Sequence, residues 1–126
     1  MSELIIRFDG DDQEVADLVR SLGQWLHDTE RLARADIEAV PRPAQPGRLG
    51  GMEEFLRLVT ENPQVFTAVL TAVGHWMSQW YTTRPFSVVV NCPNGEVITG
   101  TVRSQGDVSA LMERLRRDCK PCEGTG

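Results

Sequence analysis

Cys119 and Cys122 are separated by two residues in the C-terminal stretch Cys-Lys-Pro-Cys-Glu-Gly-Thr-Gly. Two thiolates at that spacing can grip one side of a tetrahedral zinc ion, and Gly124 and Gly126 would let backbone N–H groups approach the sulfurs. Zinc takes four ligands, so a full site would need a second chain, a partner protein, or Cys92 with a histidine. The same spacing also serves redox chemistry, which favours a helix N-terminus where the dipole lowers the thiol pKa. Here the pair follows a helix C-terminus, where the dipole opposes the thiolate, while Arg114, Arg116, Arg117 and Lys120 act in the other direction. An ordinary exposed tail is the plain alternative.

Elsewhere the reactive residue types do not converge. His27 and His75 are the two histidines. His75 has Thr71, Ala72, Ser78 and Gln79 three or four positions away, so no carboxylate orients it as a base. His27 adjoins Asp28, and adjacent residues on a helix do not face each other. Asp9, Asp11 and Asp12 surround Gly10 without the further ligands of a calcium loop, and read as a turn and helix cap. Gly47 to Gly51 lacks the lysine and hydroxyl of a phosphate-cradling loop. Ser21, Ser78, Ser87 and Ser109 stand in no nucleophile-elbow context. No enzyme activity is expected.

Large aromatic side chains offer binding rather than reaction. Trp76 and Trp80 are four apart and share a helix face with Val73 and Met77, which suits a core. Tryptophan also anchors partner interfaces. Trp25, Trp76, Trp80 and Tyr81, with Arg48 and Met52, are therefore the candidate partner-binding residues.

These residues must be positioned by a small set of elements. Leu4 to Phe8 reads as a strand closed by Asp9-Gly10. A helix follows from Asp11 or Asp12, with Val15, Leu18, Leu22, Trp25 and Leu26 on one stripe. Ala35 to Val40 is a weaker strand. Residues 41–51 hold Pro41, Pro43, Pro46, Gly47, Gly50 and Gly51 and read as a loop inside the domain. Met52 to Thr60 reads as a short helix with Phe55, Leu56 and Val59 inward. Asn62-Pro63 starts a long helix, which Pro85 closes off. Phe86 to Asn91 and Val97 to Val102 form a hairpin across Pro93-Asn94-Gly95. A last helix spans about Asp107 to Cys119. The order β-α-β-α-α-β-β-α predicts an α+β domain over residues 1–118, with a four-stranded sheet, helices packed mainly on one face, and residues 119–126 as a tail.

Composition narrows the function classes. The chain has 126 residues, enough for one core. Its net charge of -5 argues against binding nucleic acid or an anionic membrane. No apolar run approaches the roughly 20 residues of a membrane span, and the N-terminus has no secretory pattern. Three cysteines form no even disulfide framework, which predicts a reduced, cytoplasmic setting.

Several segments carry a family likeness. They are Leu18-Val19-Arg20-Ser21-Leu22-Gly23-Gln24-Trp25-Leu26, Pro46 to Met52, the helix with Trp76, Phe86 to Val90 with Pro93 to Val97, and Gly106 to Leu111. Together they resemble the first type of effector-associated constant component found in bacterial conflict and defence systems. The likeness covers about residues 3 to 117. It implies a small α+β adaptor without enzyme activity, encoded beside effectors such as proteases and beside NTP-dependent regulators. The partner would then be an effector or regulatory protein encoded nearby. The tail is similar to a single zinc repeat of DnaJ-type chaperones. That likeness implies an alternative function, a homodimer or assembly module in which Cys119 and Cys122 of two chains share one zinc.

Overall fold

The computed structural model describes residues 2–29, 36–41 and 53–120. Along them the chain forms β1 (Ser2–Asp9), α1 (Asp12–His27), β2 (Asp36–Pro41), β3 (Glu53–Thr60), α2 (Pro63–Trp80), β4 (Phe86–Asn91), β5 (Val97–Val102) and α3 (Gln105–Asp118). Each helix begins where a side-chain oxygen accepts a free backbone N–H, as capping requires. Asp11 accepts from Glu14 N–H, Asn62 from Gln64 N–H with Pro63 in the first turn, and Ser104 from Asp107 N–H. The hairpin turn between β4 and β5 contains Gly95 at φ +93°, a conformation that disfavours a side chain.

All strand pairs are antiparallel, and the order is β2-β3-β1-β4-β5. The sheet therefore has five strands, not the four expected, and the element order is β-α-β-β-α-β-β-α. The difference is the segment expected as a short helix at 52–60. From Glu53 to Thr60 it is strand β3, paired with both β1 and β2. Leu56, Leu58 and Thr60 are buried while Phe55, Arg57 and Val59 are only half-buried, which is a period of two. Pairing on both sides overrode the helical spacing of Phe55, Leu56 and Val59.

The helices cover one face. Leu4, Ile6 and Phe8 of β1, Leu56 and Leu58 of β3, and Phe86, Val88 and Val90 of β4 point into one cluster with Leu18, Leu22, Leu26, Val69, Val73 and Met77. α2 lies between α1 and α3 and packs closely on α3. A Cβ placed on Gly74 would come within 2.8 Å of the Met112 sulfur. At roughly 25 cal/mol per Å² of apolar surface removed from water, this cluster is the main source of stability.

Candidate docking face

The aromatic candidates lie mostly inside. Trp76 is 3% exposed, and its ring sits 5.5 Å from Phe8 and 5.4 Å from Phe86. Its indole N–H donates to the Ser21 hydroxyl at 3.0 Å, tying α2 to α1. Trp25 is half-buried and donates to the Ala72 carbonyl at 3.1 Å, a second tie between the same helices. Trp80 stacks on Trp76 at 5.6 Å. The Trp80 indole N–H is buried with no partner among the described residues. Tyr81 caps α2 and packs against the core edge. Arg48 and Met52, with the loop after Pro41, lie outside the described residues. The structure thus brings Trp25, Trp76, Trp80 and Tyr81 together around α2, largely as packing.

The cysteines are arranged differently from the expected pattern. Cys92 and Cys119 form a disulfide with Cα atoms 5.4 Å apart. The expectation that the odd cysteine count left no disulfide does not hold, because the odd residue is Cys122, which lies outside the described residues. Six residues of β5 rise about 20 Å, and the 14 residues of α3 rise about 21 Å. The helix therefore returns its C-terminus to the hairpin turn, where Asn94 also donates to the Asp118 carbonyl at 2.8 Å. Those matched lengths are the sequence signal for the pairing. With its sulfur bonded to Cys92, Cys119 presents no thiolate, so this state does not fit the zinc half-site. Among the described residues no three of His, Cys, Asp and Glu gather as metal ligands.

The other face of the sheet carries no helix among the described residues. Two rows of side chains cross it, following the strand register. One runs Glu38, Arg57, Ile5, Asn91, Val97, and the next runs Val40, Phe55, Arg7, Val89, Thr99. Ile5, Val40, Phe55, Val59 and Val89 are half-buried and Val97 is 57% exposed. The cations among them are already held. Arg57 pairs with Glu3 at 3.1 Å, and the Arg7 guanidinium lies 4.9 Å from the centre of the Phe55 ring. Arginine and aromatic side chains are enriched in protein interfaces, which makes this face a candidate docking surface. Sequence reading missed this face because Phe55 and Val59 were assigned to a helix.

A groove of about 520 Å³ lies between α1 and the end of α2. Glu14, Asp17, Arg20, Ser21, Trp80 and Arg84 are among its lining residues. Arg84 and Glu14 close part of it with a 3.1 Å ion pair. His27 and His75 are exposed. No helix among the described residues is long and apolar enough to cross a membrane.

An antiparallel sheet covered on one side by three helices defines a small two-layer α+β module. The family model for Effector Associated Constant Component 1 matches residues 9–118, and the chain belongs to that family. Membership implies association with effector proteins of conflict systems. Comparison with curated proteins and with solved structures gave no match.

Proposed function

We propose that this chain is a non-catalytic adaptor that docks an effector or regulatory protein on the open face of its sheet. The observation that carries this reading is the pair of cross-sheet rows through Ile5 and through Phe55, Arg7 and Val89. Their apolar atoms gain from being covered, and the Arg57–Glu3 and Arg7–Phe55 contacts hold the long side chains in place beforehand. Ordering those side chains on binding then costs less, since each flexible one otherwise loses about 0.5–1.5 kcal/mol. Family membership supports an effector as the occupant. The tryptophans of α2 serve this function indirectly, by fixing the helical layer that packs against the covered face of the sheet.

The test is complex formation with an effector or regulator encoded beside this chain. Val89→Lys places a charge at the centre of the open face without touching the core. The reading expects at least about tenfold weaker binding, or 1.4 kcal/mol, with the folded circular-dichroism signal retained. Unchanged affinity of the folded variant contradicts it.

A further inference from the structure

The two edges of the sheet are built to opposite rules. β2 carries Asp36 and Glu38, ends in Pro41, and has a register shift between Val40 and Pro41. Charge, proline and a bulge are the usual means by which an edge strand avoids pairing with another chain. β5 has none of them. Its sequence is Val-Ile-Thr-Gly-Thr-Val, with no charge and no proline, and it pairs only with β4 among the described strands.

The register shows what this edge offers. Cys92 N–H donates to the Glu96 carbonyl at 2.8 Å, so residues 92 and 96 are a hydrogen-bonded pair. Bonded pairs recur at alternate positions in an antiparallel ladder. Those pairs are therefore 90 with 98, 88 with 100, and 86 with 102. Val97, Thr99 and Thr101 consequently turn their N–H and C=O groups away from β4. The Arg114 side chain confirms the direction, since it reaches the outer edge and donates to the Thr99 carbonyl at 3.1 Å. α3 itself rides over the covered face, with Leu111 against Gly100, and among the described residues its Arg114 side chain reaches the edge at the Thr99 carbonyl.

We infer that the outer edge of β5 is a second binding site, which takes an extended acidic segment of a partner protein as an added strand. Main-chain groups of Val97, Thr99 and Thr101 supply the ladder, as in other strand-addition complexes. Arg114 supplies the charge preference. Its guanidinium stands at the middle of the edge, and a carboxylate on the incoming strand can replace the Thr99 carbonyl as its acceptor with a stronger, charge-assisted bond. Glu96 precedes the first residue of β5, so the incoming carboxylate belongs at the Thr99 level and not at the Val97 end. A second copy of this chain fits less well, because a twofold axis at Thr99 would bring two Arg114 side chains together. This inference rests on the reading of the chain as a binding module, and it adds a mode of attachment beside the open face.

The test uses the intact chain and a synthetic capped pentapeptide, Thr-Val-Glu-Val-Thr, at millimolar concentration. Amide hydrogen exchange followed by NMR should slow by about tenfold or more at Val97, Thr99 and Thr101, and not at β2. A peptide with lysine in place of glutamate should bind more weakly, and Arg114→Gln should erase that difference. Thr99→Pro removes an outward N–H that β4 does not use, so it should abolish peptide protection and keep the ladder to β4. Thr101→Glu, which keeps every backbone donor, should weaken binding of the acidic peptide and serves if the proline variant is unfolded. No slowing at saturating peptide, equal slowing at β2, or slowing that appears on raising protein concentration without peptide would each overturn the proposal, the last by showing a second copy as the occupant. Loss of effector binding in Val89→Lys alongside a silent edge would sink the edge alone. A responsive edge with effector binding indifferent to Val89 would sink the open-face reading alone.

Discussion

Neighbouring residues of the same strand live in different environments on the two faces of this sheet. Leu56 is fully buried under α1 and the β1 side chains, whereas Phe55, one residue earlier, is half-buried beneath the Arg7 guanidinium. The covered face is mainly aliphatic and aromatic; the Trp76 indole N–H is tied to Ser21, while the Trp80 indole N–H is buried without a partner among the described residues. The open face mixes Ile5, Phe55 and Val89 with Arg7, Arg57 and Glu3. The difference between the faces shows that the described helices hold the fold from one side, and it is the basis of the docking face proposed on the other.

Substitutions can break or sharpen that contrast. The largest effect is expected for Trp76→Ala, which empties the meeting point of Phe8, Phe86 and Trp80 and leaves the Ser21 hydroxyl unpaired. A loss of about 3–5 kcal/mol is expected in denaturant unfolding. Next is Cys92→Ser. The bridge spans 27 positions, and loop-closure entropy predicts a loss of about 3–4 kcal/mol. Reductant should destabilise the native chain similarly and leave the variant unaffected, which separates loss of the bridge from loss of packing. The direct comparison is Leu56→Ala against Phe55→Ala. The first should cost about 2–5 kcal/mol as a core truncation, the second about 1 kcal/mol or less, because its ring keeps solvent contact. Equal costs would mean the open face is stabilising structure and not a docking surface. The smallest effect is expected for Glu3→Gln, since the Arg57–Glu3 pair is 43% and 45% exposed and such pairs contribute about 0–1 kcal/mol.

Much of the covered face was legible from residue spacing. The stripe Val15, Leu18, Leu22 and Leu26 marks α1, the stripe from Val65 to Met77 marks α2, and Pro-Asn-Gly marks the hairpin. These segments are amphipathic or alternate cleanly, so local pattern and tertiary position agree. β3 was not legible, because a strand paired on both sides with apolar residues on both faces loses its alternation, and Phe55, Leu56 and Val59 then fit a helix equally well. The proposed docking face was hidden by the same error, since its rows of side chains form only once β3 joins the sheet. The disulfide was hidden for another reason. It depends on where α3 ends relative to the β4–β5 turn, a matter of matched lengths that no local motif records. The shared helix face of Trp76 and Trp80 suited a core or a partner surface in the sequence, and the packing of Phe8 and Phe86 around Trp76 decides for the core there.

The most direct measurement is an NMR titration of the isotopically labelled chain with an effector or regulatory protein encoded beside it. Amide shifts are expected at Ile5, Arg7, Phe55 and Val89, with α1 and α2 little changed. Shifts confined to the groove of Glu14, Asp17, Arg20 and Arg84, with the open face silent, would contradict it.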